Sequence, residues 1–371
     1  MKKTILLAAA LLIGATSFAQ YKYDFTVVKE NPATRVKDQA RTGTCWCFAT
    51  VSFLESEAIR KGTADTSLNL SEMYLVRSAY LDRAADDYFR RGRGNLGPGA
   101  VGHTATFAMQ RSGLMTEQAY NGINYDSKFH NHGKLQAEID SVMRVAVKEK
   151  KGVPYNALNA ALDKWLGKVP ETSEFKGENL TPQQLREKLK LDASEYVEIT
   201  SFSHHPFYEK IRVEWPDNYE HELYYNVPID ELVEVMDYAI EKGFTIGWAA
   251  DMSETYFAHN RGLALFTPGE NLKATDSYPA RFVETPVDQD VRQAMFDDFT
   301  TSDDHLMHIT GISKDQEGAK YYIVKNSWGP NNGEYKGWFN ASVNYVKAKT
   351  IAIMIHKDAV PKELKKKLGI K

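Results

Sequence analysis

The order of the secondary-structure patterns along the chain constrains its fold more than any other feature of the sequence. Helical patterns dominate the first part, where a helix from about Cys45 to Lys61 is ended by Gly62 and is apolar enough to be central. Apolar runs typical of short strands dominate the last part, at 244–250, 307–312, 320–325, 337–342 and 350–355. Helices and strands that are segregated in this way predict an α+β protein with a helical lobe and a sheet lobe.

A charged stretch separates these two parts of the chain. From about 126 to 206 the residues are rich in charge and in helix formers and contain few strand patterns, which predicts a largely helical insertion on the core. Near Tyr224 the core resumes, with a helix whose first residue is predicted to be Pro228 and which Gly243 ends.

Residues 1–19 have the pattern of a secretory signal peptide. Lys2 and Lys3 precede an apolar run at 5–12 that is too short to span a bilayer, and a small-x-small pattern ends at Ala19. A buried first helix is the weaker reading. We therefore expect cleavage after Ala19 and export to a periplasmic or extracellular location. No later stretch is long and apolar enough to span a membrane.

Composition describes a folded enzyme without a general attraction to polyanions. The formal net charge is −3, and charged residues make up 26% and aromatic residues 12% of the chain. This charge gives no reason to expect nucleic acid or an anionic membrane as partner. The two cysteines, Cys45 and Cys47, are separated by one residue, so a bridge between them would be strained and a structural disulfide is not expected.

Cys45 lies where a nucleophile would be activated. Gly43 marks a turn that leads into the helix beginning at Cys45, and unpaired N–H groups at a helix N-terminus lower the pKa of a thiol. The Cys45 N–H could supply half of an oxyanion hole, and the amide of Gln39, six residues earlier, could supply the other half. Taken alone, a small buried apolar cysteine is the favoured interpretation of such a residue.

A thiolate needs a base, and the ten histidines offer few candidates. Four of them lie in polar, irregular stretches, where we expect solvated imidazoles and no metal site, because no acidic or cysteine cluster completes one; they are His130, His132, His204 and His205. His305 and His308 begin a strand, where alternation places them on opposite faces.

Asn326 begins the run Asn-Ser-Trp-Gly downstream of these histidines. An asparagine can accept a hydrogen bond from an imidazole and fix its tautomer, and the following tryptophan can shield that bond from water. The plain alternative is a turn residue before Gly329.

Together these features resemble the papain family of cysteine peptidases, whose mark is a Gly-x-Cys-Trp sequence with distant His and Asn. The resemblance implies a papain-like two-lobe fold with an antiparallel sheet lobe in residues 20–371. It also implies a catalytic site of Gln39, Cys45, His305 and Asn326. His305 is preferred to His308 because family members place a glycine six residues after the histidine, and His308 remains the alternative base.

Further segments are similar to the bleomycin hydrolase and aminopeptidase C branch of that family; they include 70–74, 225–229, 248–251 and 360–364. This resemblance implies an aminopeptidase that acts on peptides, needs no cofactor and forms a homo-oligomer. Branch members have a C-terminal arm in the cleft, whereas this sequence stops at Lys371. A papain-like endopeptidase of broader cleavage is therefore the alternative. Some relatives bind nucleic acid, but we interpret the terminal lysines as a solvated helix face.

Gly97 and Gly99 match the place where papain relatives pair their main chain with an extended substrate, and we expect them to bind substrate. A plain turn is an equal alternative. Two other functions compete with a peptidase. A transglutaminase-like acyltransferase also uses Cys and His but normally orients its histidine with aspartate. A non-catalytic binding protein on the same fold would usually have lost the cysteine or the histidine.

Overall fold

The computed structural model describes residues 21–273, residue 278 and residues 280–371. The expected signal peptide at residues 1–19 lies outside the described residues. Helices dominate the first part of the described chain and strands the last part, so the predicted α+β class is confirmed. In the part of the chain that the structure describes, no helix combines the length and the apolar character that a membrane crossing requires.

The α-helices of the described residues are α1 (Cys45–Arg60), α2 (Glu72–Phe89), α3 (Gly102–Ser112), α4 (Gly133–Glu149), α5 (Tyr155–Leu166), α6 (Pro182–Leu189), α7 (Ile229–Glu241), α8 (Gln289–Asp297), α9 (Val343–Lys349) and α10 (Lys362–Lys367). The β-strands are β1 (Phe25–Glu30), β2 (Ser173–Phe175), β3 (Glu178–Leu180), β4 (Tyr196–Thr200), β5 (Lys210–Ile211), β6 (Tyr224–Asn226), β7 (Ile246–Ala250), β8 (Phe257–Ala258), β9 (Leu263–Ala264), β10 (His305–Asp315), β11 (Lys320–Lys325), β12 (Trp338–Ser342) and β13 (Thr350–His356).

One large sheet forms the framework of the molecule. Its strands follow the order β5-β6-β4-β13-β7-β10-β11-β12-β9-β8, and β1 pairs with β10 beside this path. The pairs are antiparallel except β4 with β6 and β12 with β9. The central strands β13, β7, β10 and β11 are almost entirely buried because both faces of the sheet are covered. This explains why their sequences read as continuous apolar runs.

The two faces of the sheet pack into different cores. Met307 of β10 joins a core with α7 and α9, whereas its neighbour Leu306 joins a core built by the helices α1 to α6. Alternation along the strand produces this division. The start of β10 therefore lies at the junction of the two cores, and α1 packs against β10 and β7 from the helical side.

The central helix α1 is buried along nearly its whole length, from Trp46 to Ala58. Cys47 is fully buried, and its Sγ donates to the Glu72 carbonyl at 3.3 Å. Its position in the core agrees with the apolar stripe predicted from the sequence. Cys45, at the first position of the same helix, remains partly exposed.

The stretch predicted as a helical insertion, about 126–206, contains α4, α5 and α6 together with the β2–β3 hairpin. The helices contribute apolar side chains such as Leu135, Leu158 and Leu185 to the helical core. The end of the stretch is not part of this helical region, because β4 pairs with β13 and belongs to the main sheet.

Candidate active site

The turn before α1 places the predicted nucleophile. Cys45 is the first residue of α1 and Thr44 is its N-cap, so the Cys45 N–H has no acceptor within the helix. A Cβ on Gly43 would lie only 2.7 Å from Pro98 Cγ. This close approach requires glycine and fixes the turn that leads into the helix.

Backbone N–H groups and carboxylates have opposite effects on the pKa of the Cys45 thiol. Burial raises the pKa of the Cys45 thiol to about 12, and the N–H groups of Leu306 and Trp46, which hydrogen-bond to the sulfur, lower it. The carboxylates of Asp303 and Asp217 raise it. The resting residue is therefore a thiol, and a reaction at this sulfur needs a base.

His305 lies next to the residue that contacts the sulfur. It is the first residue of β10, immediately before Leu306, and its Nε2 is 2.8 Å from Asn326 Oδ1. The Ser327 N–H donates to the same Oδ1 at 2.7 Å, which identifies this atom as the amide oxygen. The His305 Nε2 therefore carries a proton and donates it to Asn326, and Nδ1 keeps a lone pair for proton abstraction.

Aromatic rings cover the imidazole of His305. The ring of Trp328 lies 5.1 Å away, centre to centre, with the planes tilted by 32°. Burial lowers the pKa of His305 to about 4, the hydrogen bond to Asn326 partly offsets this effect, and the nearby His259 lowers the pKa further. The imidazole is thus neutral near pH 7, which is the form that a general base requires.

His308 occupies a different environment on the opposite face of β10. Its Nδ1 lies 2.8 Å from Ser52 Oγ on α1, and Lys325 Nζ donates to the same oxygen at 2.8 Å. The Ser52 hydroxyl thus hydrogen-bonds to both the His308 imidazole and the Lys325 ammonium group. Burial, followed by the charge of Lys325, holds the pKa of His308 well below its usual range. These contacts support His305 as the base in preference to His308.

Gln39 is fixed at the edge of the nucleophile turn by two neighbours. Its Oε1 accepts from Ser327 Oγ at 2.6 Å, and its Nε2 donates to the Thr42 carbonyl at 2.9 Å. Its backbone N–H donates to the Ser327 carbonyl at 2.8 Å. The amide orientation is thereby determined, and the second hydrogen on Nε2 remains for a substrate oxygen.

The Gly97-Pro98-Gly99 loop packs on the nucleophile turn. Trp46 Nε1 donates to the Pro98 carbonyl at 3.0 Å. A Cβ on Gly99 would lie 2.3 Å from Asp217 Oδ2, so the carboxyl group of Asp217 rests directly on this glycine. A Cβ on Gly97 would meet only Asn95 Oδ1, at 3.2 Å. The expected pairing of substrate with Gly97 and Gly99 stays a prediction, and Asp217 narrows the space beside Gly99.

The expectation of solvated imidazoles is wrong for His130 and His132, which are buried. The Arg41 N–H donates to the His130 carbonyl at 3.1 Å, and the His132 N–H donates to the Arg41 carbonyl at 3.2 Å. These bonds hold the segment against the turn before α1. Burial lowers the pKa of both imidazoles to about 4.

His204 and His205 face a carboxylate that the sequence did not bring near them. Glu214 accepts from His205 Nε2 at 2.7 Å and lies 3.4 Å from His204 Nε2, a donor set that a metal ion could use. However, Gln293 Nε2 donates to His204 Nδ1 at 3.0 Å, and Gln293 Oε1 accepts from the Ser203 N–H at 2.7 Å. Because His204 Nδ1 accepts this bond, the imidazole carries its proton on Nε2, the atom that would have to bind a metal ion. His204, His205 and Glu214 therefore form a hydrogen-bonded cluster.

A continuous series of contacts thus joins the four predicted catalytic residues. It runs from the Cys45 sulfur to Leu306 beside His305, then to Asn326, and through Ser327 to Gln39.

Sequence reasoning missed three further polar residues near the site: Ser327, which orients Gln39, and the carboxylates of Asp217 and Asp303. Ser327 could have been found as part of the Asn-Ser-Trp-Gly run. Asp217 is distant in sequence, and no local signal marks it.

Two family models match the chain. The Peptidase C1-like family matches residues 170–370, and the Papain family cysteine protease matches residues 20–179. Aminopeptidase G of Lactobacillus delbrueckii subsp. lactis is 22% identical over 379 residues, which cover 90% of this chain and 83% of that protein. The Viral cathepsin of Choristoneura fumiferana defective polyhedrosis virus is 32% identical over 125 residues, which cover 34% of this chain and 32% of that protein.

The fold is similar to a solved structure. The crystal structure of PepW from Lactobacillus rhamnosis HN001 aligns with a TM-score of 0.70 at 18% identity, over 93% of this chain and 84% of that one. These findings confirm the predicted resemblance to the papain family and to its aminopeptidase branch. Since the first family model covers more than half of the sequence, the chain belongs to the Peptidase C1-like family.

Proposed function

We propose that this chain, a papain-like cysteine peptidase, releases residues from the free N-terminus of peptides with Cys45 as nucleophile and His305 as base. The observation that carries the proposal is the arrangement around Cys45. The sulfur receives the Leu306 N–H, and the adjacent His305 donates its Nε2 proton to Asn326 at 2.8 Å. The sulfur is thus held beside the residue that follows the base, and the base is hydrogen-bonded to an orienting amide; a nucleophile, a base and an orienting group are the elements that acyl transfer requires.

In the first step, Cys45 Sγ attacks the carbonyl carbon of the scissile bond while its proton passes to His305 Nδ1. The carbonyl oxygen becomes an oxyanion, which the free Cys45 N–H and the second hydrogen of Gln39 Nε2 stabilise. Asn326 keeps the imidazole in the orientation that presents Nδ1 to the sulfur, and it stabilises the imidazolium that forms.

In the second step, the leaving amine takes the proton from His305 as the C–N bond breaks, and a thioester to Cys45 remains. A water molecule then gives a proton to His305 Nδ1 and attacks the thioester carbonyl, with the same oxyanion donors in use. Release of the carboxylate product restores the thiol and the neutral imidazole.

Two observations support aminopeptidase action as the form of this activity. Aminopeptidase G, by its name an aminopeptidase, aligns over nearly the whole chain. In addition, the carboxyl group of Asp217 covers Gly99, where an extended peptide would continue beyond the cleaved residue. A cleft that is closed beside Gly99 favours peptides whose N-terminus lies at that point.

The test of the proposal uses matched peptides that differ only at the N-terminus. We expect peptides with a free amine to lose residues one at a time, and N-acetylated versions to be cleaved much more slowly, as mapped by mass spectrometry. A thiol-directed epoxide should abolish the activity and leave one adduct, at Cys45. Efficient internal cleavage of the acetylated peptides would instead identify an endopeptidase of broader specificity, and full activity with Cys45 blocked would exclude the mechanism.

Export is a separate proposal, supported by the lysines, apolar run and small-x-small pattern of residues 1–19. It predicts that the protein recovered from a producing cell begins at Gln20 and is found outside the cytoplasm. N-terminal sequencing after cell fractionation checks both points.

A further inference from the structure

Two carboxyl groups interact electrostatically with the Cys45 thiol without serving the chemistry described above. Asp303 stands two residues before His305, and Asp217 comes from the loop between β5 and β6. Both act on the Cys45 thiol, and both raise its pKa. Since the reaction needs a thiolate, these two carboxyl groups oppose the activation of the nucleophile.

One oxygen of the half-buried Asp303 lacks the hydrogen-bond partner that a buried polar atom normally has. Its Oδ2 atom is buried and has no hydrogen-bond partner in the described residues. Within the described residues, neither Asp303 nor Asp217 forms an ion pair with a lysine, arginine or histidine. A buried carboxyl oxygen without a partner costs free energy, and in native proteins such groups commonly mark a functional site.

The position of Asp217 is determined by the loop on which it rests. Asn95 Nδ2 donates to Asp217 Oδ1 at 2.9 Å and to the Pro216 carbonyl at 2.8 Å. The other oxygen, Oδ2, lies on Gly99, so the carboxyl group faces the part of the cleft that borders the nucleophile turn. Arg83 interacts electrostatically with Asp217, but the two side chains are too far apart to form an ion pair.

The two carboxyl groups also interact electrostatically with each other. Burial, followed by the charges of Asp217, Asp304 and Glu198, raises the pKa of Asp303 to about 8. Near pH 7 the Asp303 carboxyl group therefore keeps its proton in the free protein, because its ionisation would place a further negative charge near Asp217 and the reacting sulfur. A cation that bound both carboxyl groups would lower the pKa of Asp303, so that its carboxylate forms, and would satisfy the buried Oδ2.

We propose that Asp303 and Asp217 form the subsite that binds the free α-ammonium group of the substrate. The inference rests on the proposed aminopeptidase function and names the residues that select for it. An ammonium group brings hydrogen-bond donors and one positive charge, which match two acceptor carboxylates. Its charge also offsets the effect of the carboxylates on the Cys45 thiol, so a bound substrate with a free amine makes loss of the thiol proton less unfavourable.

The experiment measures two properties of the Asp303→Asn and Asp217→Asn variants and of the double variant. The first property is the ratio of kcat/KM for an aminoacyl anilide with a free amine to kcat/KM for its N-acetyl form. We expect each single variant to lower this ratio about 10- to 100-fold, the usual effect of losing one hydrogen bond to a charged group. Asparagine keeps the shape of aspartate, and at position 217 it can still accept from Asn95.

The second property is the rate at which iodoacetamide alkylates Cys45 without substrate at a fixed pH above the Asp303 pKa of about 8, where both carboxyl groups are ionised. Because both carboxylates oppose the thiolate, we expect each variant to be alkylated faster than the wild type. A purely structural role would disturb the site and slow alkylation together with hydrolysis. Glu241→Gln, which removes an exposed carboxylate at the end of α7, is the matched control and should change neither property.

The outcomes separate this inference from the proposed function. If the wild type prefers the N-acetyl substrate, the aminopeptidase proposal fails and the subsite fails with it. If the wild type prefers the free amine and all three variants keep that preference, the subsite alone is wrong. A lowered ratio together with slower alkylation also overturns the subsite, since it would show that the carboxylates only support the structure.

Discussion

Cys45 and Cys47 are one residue apart, and the helix gives them different chemistry. Cys45 begins α1 with a free backbone N–H, whereas Cys47 is fully buried and donates to the Glu72 carbonyl at 3.3 Å. A helical step of two residues turns the side chain to another face of the helix, so the two sulfurs cannot exchange roles.

The first prediction compares these two cysteines. We expect Cys45→Ala to abolish peptide hydrolysis because no other described thiol reaches the site. Cys47→Ser should keep much of the activity because serine can repeat the donation to Glu72. Hydrolysis assays on variants whose folding has been checked by circular dichroism make the comparison. Robust hydrolysis by Cys45→Ala would contradict the mechanism.

The second prediction concerns the two histidines of β10. His305→Ala should remove activity because, of these two histidines in the described residues, His305 is the one hydrogen-bonded to Asn326. His308→Ala should mainly lower stability by about 1–3 kcal/mol, because it leaves the Ser52 hydroxyl without its imidazole partner in a buried site. Activity and denaturant unfolding are measured on both variants. If both fold and only His308→Ala is inactive, the base is His308.

The third prediction tests the oxyanion donor. Gln39→Ala should lower kcat by about 10²–10³-fold with little change in KM, which is the usual loss for one donor. Ser327→Ala should lower kcat less, because the Gln39 amide loses the hydroxyl that fixes its orientation but keeps its contact with Thr42. An effect confined to KM would mean that Gln39 binds substrate and does not stabilise the transition state.

At the scale of elements, the sequence predicts what is local and misses what depends on distant parts of the chain. The apolar runs at 320–325 and 350–355 correspond closely to β11 and β13, because strands buried on both faces need such runs. By contrast, β10 extends to Asp315, beyond the predicted 312, because its polar end pairs with β1. Pro228, predicted as the first helical residue, is the N-cap of α7.

The same limit applies to the site. The turn, helix start and strand start around Cys45 and His305 are local patterns, so these residues could be proposed from the sequence. The placement of Asp217 on Gly99 depends on how a loop between β5 and β6 packs on a turn more than a hundred residues earlier, and no local pattern encodes it.

The fourth prediction concerns the polar junction of three elements. Lys37, before α1, lies 2.6 Å from Glu72 of α2 and 3.3 Å from Glu55 of α1, and all three side chains are nearly buried. Lys37→Met would leave two buried carboxylates without their cation, so we expect the free energy of unfolding to fall by about 3–5 kcal/mol.

Denaturant unfolding measures this change. The control is Lys151→Met, which removes an exposed ion pair with Glu149 and should cost less than about 1 kcal/mol. Equal effects of the two substitutions would show that the Lys37 cluster does not hold the elements together.

At the scale of the whole molecule, the reaction depends on the junction of two separately packed cores. Cys45 begins helix α1 of the helical core, His305 begins strand β10, and Asn326 directly follows strand β11. The sulfur is held at this junction by the Leu306 N–H, and Gln39 is tied to the loop after β11 through Ser327. A change that shifts one core against the other should therefore reduce kcat before it unfolds the protein.

The last prediction concerns the C-terminal residues. Ile370 packs into the core on the sheet side, and the Ile370 N–H donates to the Lys365 carbonyl at 3.0 Å. The cavity that residues 369–371 border is lined by His103 and Glu198, and its lining in the described residues does not include Cys45 or His305. Deleting residues 369–371 should therefore lower stability, by about 1.5–3 kcal/mol for the lost burial of Ile370, and leave the preference for free N-termini unchanged. Kinetics with free and N-acetylated peptides, at a temperature where both proteins are folded, make the comparison. If the deletion lets acetylated peptides react, the C-terminal residues restrict the cleft, and selectivity does not come from Asp303 and Asp217 alone.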